Sequence, residues 1–295
     1  MEDKGLLHNM GGWSQFFFFC FLAFFGMIAA TFVSVMFLDM DNIRQSANTM
    51  RLAQTIQTII MFLCSALVFA YLCHGNVKAY FKAGIKINIK YLLFAIAIII
   101  VIQPLIYTIS YYNHQLVLPD FLAPLENWMK DKEAVAERTM NLLFEERTIT
   151  GLVLNLLVIA VVAGLAEEFF FRGCIQQMIQ KIVNNPHAAV WIAAVIFSVM
   201  HFQFYGFVPR VLLGALLGYL YIWSGSIWVP VIIHTIHNAL NVVIAFVYYN
   251  TEMYGRMENF GLADNVLFII TSVILSLVIV FILYRKKIIA LKPEN

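Results

Sequence analysis

Charge is what this chain has least of. Only 12% of its 295 residues are Asp, Glu, Lys or Arg, about half the share of a soluble domain, which excludes a water-solvated globule of this size. Cysteine is also scarce. Cys20, Cys64, Cys73 and Cys174 stand far apart with no CxxC pair, so neither a disulfide framework nor a thiolate zinc site is indicated, and packing roles are expected. There is no internal repeat, no low-complexity tract and no HExxH. The net charge of +2 is accounted for by a few clustered lysines, and nothing suggests a nucleic-acid partner.

What fills the space is apolar: 62% of the residues are hydrophobic, and they come in long blocks. A helix crosses the hydrocarbon core with about 17–25 such residues. Eight blocks qualify, at about 13–37, 56–73, 91–111, 149–173, 188–204, 207–223, 226–249 and 265–284. The expected fold is an all-α polytopic membrane protein of about eight transmembrane helices, a single transmembrane domain over 1–295 whose partner is the lipid bilayer. The first block follows Met1-Glu-Asp-Lys4 and is longer than the core of a cleavable signal peptide. It is expected to be a retained helix.

Orientation follows from Lys and Arg. The loop after the second block holds Lys78, Lys82, Lys86 and Lys90 with no acid, and the last tail holds Arg285, Lys286, Lys287 and Lys292. Both are expected in the cytoplasm, and an even number of crossings puts the N-terminus with Lys4 there as well. The expected location is a plasma membrane, the bacterial inner membrane. The connections 38–55, 112–148 and 250–264 then lie outside, with acids matching or exceeding bases. In 112–148, Leu125, Trp128, Met129, Ala136, Met140, Leu143 and Phe144 recur at helical spacing among charged residues. One or two amphipathic helices on the outer face are expected there, either as a plain connector or as a lid.

One stretch breaks the apolar pattern: AGLAEEFFFRGCIQ, within the fourth block. An ionised side chain near the bilayer centre costs about 2.5–3.5 kcal/mol on insertion scales, so three together need compensation. Glu168 and Arg172 stand four apart with the acid on the N-terminal side, the favourable order for a helical pair. Glu167 points about 100° away. It is therefore available as a general base, unless all three side chains snorkel to the interface. Other blocks hold His201 in IFSVMHFQF and His234, His237, Asn238 and Asn241 in IWVPVIIHTIHNALNVV. Three helices that each offer buried polar groups point to an assembled site.

Glu167-Glu168-x-x-x-Arg172, Phe197-x-x-x-His201 and His234-x-x-x-Asn238, the last preceded by Trp228-x-Pro230, match in order and spacing the motifs of the CPBP (Abi) family. This chain resembles those intramembrane endopeptidases, which include the type II CAAX prenyl proteases, over about 167–238. The catalytic core is expected over about 149–249. The resemblance implies that Glu167 activates a water which His201 helps to hold, that His234 and Asn238 stabilise the oxyanion, and that Glu168 and Arg172 support them. A second HxxxN, His237 and Asn241, is offset by about 60° around the helix; the Trp-x-Pro lead-in favours the first register and leaves His237 to pack behind it.

The expected function is hydrolysis of a peptide bond in a membrane-associated peptide or protein, with no cofactor. The rival is a zinc site built from the same Glu and His residues, which leaves Asn238 without a role. A non-cleaving scaffold or immunity factor keeps the same motifs. A transporter also holds charges at mid-membrane but is expected to show repeated halves, which are absent. Resemblance to CAAX proteases implies cleavage near a lipid-modified cysteine on the cytoplasmic side; nothing in the sequence encodes a prenyl group.

Overall fold

In lipid an apolar segment has no water for its peptide groups, so each N–H and C=O bonds within its own segment and the segment becomes a helix. The computed structural model describes residues 5–39, 46–258 and 266–290, and among them there is no strand. In chain order come α1 (Gly12–Phe37), α2 (Ala47–His74), α3 (Ile89–Val101), α4 (Gln103–His114), α5 (Ala123–Phe144), α6 (Ile149–Val183), α7 (Pro186–Val199), α8 (Phe207–Ser224), α9 (Trp228–Tyr248) and α10 (Val266–Ala290). Val77–Tyr80 and Glu252–Glu258 add short turns of helix. The protein is an integral membrane protein.

Six of these helices are long and apolar enough to cross a membrane, and α3 with α4 makes a seventh span when the pair is counted as one. The expected eight is therefore not reached by length. The missing crossing is the block at 188–204, which is helical only over the 14 residues of α7, about 21 Å at 1.5 Å per residue. Asn185 starts α7 by accepting hydrogen bonds from the N–H groups of His187 and Ala188. The chain leaves the helix beyond Val199, and Phe202 turns to a left-handed φ of 54°. The α3–α4 pair is bent by 41°. Pro104 explains the bend, because it lacks an N–H and its ring crowds the carbonyl four residues back.

The helix ends gather at two faces. On one, the N–H of Leu7 meets the carbonyl of Leu72 at 2.8 Å, Lys181 Nζ reaches Gln15 Oε1 at 3.4 Å, and Trp228 Nε1 donates to the carbonyl of Ala83 at 2.9 Å. This face carries the lysine-rich loop. On the other, Asn113 donates to the carbonyl of Phe204 at 3.0 Å, Asn155 donates to the carbonyl of Leu143 at 2.8 Å, and Arg147 donates to the carbonyl of Tyr249. The single amphipathic helix α5 lies across this second face. Lys4 and Lys292 fall outside the described residues, as do parts of the connections 38–55 and 250–264.

α6 runs through the middle of the bundle. Its Phe170 packs against Phe19 of α1 and Phe62 of α2, with ring centroids 4.7 and 4.9 Å apart, and Phe171 packs against Phe197 of α7 at 5.0 Å. Two stretches of α6, Leu156–Val162 and Phe171–Gln176, are wound as π-helix, as is Thr58–Cys64 of α2. Such widened turns are frequent at functional sites, and here the two in α6 flank the two carboxylates. Cys73 and Cys174 are buried in packing as expected, whereas Cys20 and Cys64 are exposed on the bundle exterior.

Candidate active site

Glu167 and Glu168 leave α6 in directions about 100° apart, and the bundle treats them differently. Glu168 is fully buried. Its Oε1 accepts from Arg172 Nη1 at 2.6 Å, one helical turn on, and is 2.7 Å from His234 Nδ1 on α9. Arg172 is held from two further sides: Nη2 donates to the carbonyl of Gly214 at 2.9 Å, and the guanidinium lies 4.8 Å from the centroid of the Phe197 ring. A side chain at Gly214 would press on α7, because a Cβ there falls 3.1 Å from Ala194 Cβ. The absence of one lets the α8 carbonyl approach the arginine.

Glu167 faces a cavity of about 950 Å³. Its Oε2 is buried with no hydrogen-bond partner, and the nearest basic atom is His234 Nε2 at 3.9 Å. α6 and α9 come this close because of Gly164, where a Cβ would fall 2.7 Å from Thr235 Oγ1 and 3.1 Å from the Thr235 backbone nitrogen. With Nδ1 turned to Glu168, His234 presents Nε2 toward Glu167 and the cavity.

His201 sits in the turn that follows α7. Its Nδ1 is 2.8 Å from the carbonyl of Phe197, an acceptor, so Nδ1 carries the proton and Nε2 is left with a lone pair. The Phe197 ring lies 4.8 Å from the His201 ring and 5.8 Å from the His234 ring. Counting residues along straight spans places His201 at a different depth from Glu167 and His234. The early end of α7 removes that gap, and all three line one cavity. Asn238 lines it too, its amide anchored to the carbonyl of Ile159 on α6 at 3.0 Å.

His237, expected to pack behind the first pair, is buried. It lines the same cavity with Asn241, fixed by Gln103 Nε2 on Nδ1 and Asn241 on Nε2, both at 3.2 Å. Among the described residues no three His, Cys, Asp or Glu side chains are grouped as metal ligands. Sequence reasoning passed over Arg210 and Gln203, which also line the cavity; Arg210 donates to Gln203 O at 3.0 Å and to its Oε1 at 3.1 Å. The signal was present: an arginine inside an apolar block needs partners. It also passed over Arg51, buried on α2, which donates to Asn155 at 2.8 Å and ties α2 to α6.

Residues 149–240 match the family described as type II CAAX prenyl endopeptidase Rce1-like. Over this segment the chain is similar to that family. The matched stretch runs from the start of α6 into α9, so all three motifs fall inside it, and the family is one of proteases. A relative from Bacillus subtilis (strain 168), called uncharacterized protein YpbD, is 31% identical over 102 residues, which covers 33% of this chain and 47% of the relative. The chain thus spans about half the length of that curated relative. No solved structure matches.

Proposed function

We propose that this protein is an intramembrane endopeptidase in which a glutamate-activated water cuts a peptide bond of a membrane-associated substrate. The observation that carries the reading is Glu167: a buried carboxylate oxygen without a hydrogen-bond partner, on the wall of a cavity shared with His201, His234 and Asn238. A general base needs a lone pair within reach of a water, and Glu167 has one that nothing else occupies. His201 Nε2 accepts from the same water and orients it. As the water oxygen bonds to the scissile carbonyl carbon, its proton passes to Glu167 and the carbonyl oxygen takes the negative charge. When the C–N bond breaks, Glu167 returns the proton to the leaving amine.

The oxyanion needs donors already in place. Asn238 has one amide N–H beyond the one bonded to Ile159. His234 turns Nε2 toward the same space, its ring fixed by Glu168, 2.7 Å from Nδ1. Glu168 and Arg172 therefore position His234 without touching the substrate. A zinc mechanism would draw on Glu167, His201 and His234, whose Nδ1 contacts to Glu168 and to the carbonyl of Phe197 also suit a metal ligand; water attack is preferred because it gives Asn238 a role.

The test compares terminal peptides from membranes of wild-type and Glu167→Gln cells, with insertion checked in both. A set of peptides lost in the variant supports the endopeptidase. Identical sets with a well-inserted variant point to a non-cleaving scaffold. Peptide release that persists after exhaustive chelation is expected for water attack, and chelator-sensitive release restored by zinc would replace it with the metal mechanism.

A further inference from the structure

We infer that the active-site cavity is served from the membrane face opposite the lysine-rich loop, so that the substrate class is a peptide segment presented on the extracytoplasmic side and not a cytoplasmic tail. The word substrate rests on the endopeptidase reading; the sidedness stands on three separate observations.

The first is which residues share a face. The start of α1, the end of α2, the 75–88 loop, the end of α6 and the start of α9 are tied together by the Leu7–Leu72, Gln15–Lys181 and Ala83–Trp228 hydrogen bonds. The end of α10 joins them, with Tyr284 against Trp223 of α8 at 6.0 Å. The second is charge. This face holds Lys78, Lys82, Lys86, Lys90, Lys181 and Arg285, and no acid occurs in 74–90, 178–187 or 223–228. On the opposite face acids outnumber bases across 115–148. Short loops rich in Lys and Arg stay in the cytoplasm, which assigns the faces.

The third is where the cavity goes. Its wall is made by Ser34 near the end of α1, Gln54 near the start of α2, Ser110 near the end of α4, Thr139 and Met140 of α5, and Gly206. Every one of these is on the acidic face or next to it. No wall residue comes from 74–90, 178–187 or 223–228. Between Glu167 and the lysine face the bundle is solid: Phe81, Phe169, Phe171, Cys174 and Met178 are buried in one continuous cluster, and Phe81 occupies the space that a Cβ on Gly173 would need. A peptide approaching from the lysine face would have to displace that cluster, whereas toward the other face the cavity reaches α5, with Ala136, Thr139 and Met140 in its wall.

The experiment uses single cysteines, introduced after Cys20, Cys64, Cys73 and Cys174 are replaced by Ser, in intact spheroplasts with a membrane-impermeant maleimide, and the cysteine-free chain as the background. Asp131→Cys on exposed α5 and Thr139→Cys on the cavity wall should label from outside, and Lys86→Cys only after lysis. The reverse pattern overturns the inference. If Thr139→Cys fails to fold, the Asp131 and Lys86 variants still report the faces. In the terminal-peptide comparison, sequences lost in Glu167→Gln should map to extracytoplasmic segments. Loss confined to cytoplasmic segments overturns the sidedness while leaving the endopeptidase intact; no loss at all, with the expected labelling, overturns the endopeptidase and leaves the orientation standing.

Discussion

Glu167 and Glu168 differ by one position in sequence and by everything in surroundings, and exchanging each for its amide should separate their roles. Glu167→Gln removes the proton acceptor and relieves a buried charge, so peptide release should fall roughly 10²–10⁴-fold with the melting temperature unchanged or raised. Glu168→Gln leaves Arg172 and His234 facing a neutral amide. Breaking one side of a buried ion pair costs about 3–5 kcal/mol, so this variant should melt well below wild type, and Arg172→Met in the same chain should recover part of that loss. Activity should stay low even in the recovered protein, because His234 has lost the carboxylate that orients its ring. A well-folded Glu168→Gln beside an unfolded Glu167→Gln would reverse the assignment. The Glu168–Arg172 pair was legible in the sequence because i,i+4 spacing is fixed by the helix. That His234 shares the same oxygen was not, since residues 66 positions apart meet only through packing.

Glycines set the distances between elements. Gly218 of α8 faces Gln176 Oε1 at 2.7 Å and Val190 Cγ1 at 3.0 Å from the position of a Cβ, the close approach that small residues permit between membrane helices. Gly218→Leu should push α8 from α6 and α7 and lower both melting temperature and peptide release. Gly164→Ala should cost about 1–3 kcal/mol by overpacking against Thr235, and Thr235→Ala should restore part of it, measured by thermal unfolding in detergent. The spans themselves were largely legible: α1 begins within one residue of its block. Hydropathy did not show the 41° bend, although Pro104 marks it, nor that α6 continues to Val183 through Gln176, Gln177 and Lys181. The π-helical turns were invisible for a physical reason. Where a helix is apolar on most sides, one extra residue per turn leaves the hydropathy pattern unchanged.

At the scale of the whole molecule, α5 closes the acidic face. It is pinned at one end by Trp128 against Phe204, ring centroids 5.2 Å apart, and at the other by Leu143 and Phe144 packed with Val242 and Ala245 of α9. Of the two readings open for 112–148, the position of Ala136, Thr139 and Met140 on the cavity wall favours the lid. Replacing Trp128 by Ala should free its first half. Trypsin should then cut faster at Lys130, Lys132 and Arg138 while the bundle stays folded, and an unchanged cleavage rate would show that the aromatic contact is not what holds the lid.

α7 is about 21 Å long, and its outer side, with Trp191, Ile192, Val195 and Val199, is exposed. The hydrocarbon layer of a typical bilayer is about 30 Å, so the lipids beside α7 meet a wall that is too short for them. Irregular backbone at that depth persists only where protein or water satisfies it. Here Asn113, Arg210 and Ser198 bond the carbonyls of Phe204, Gln203 and Phe207. The acyl chains are then expected to shorten or disorder locally to follow this wall, thinning a patch of the membrane next to His201. Peptide release in reconstituted vesicles should then decline as the acyl chains are lengthened, since each added methylene makes that patch harder for the bilayer to form.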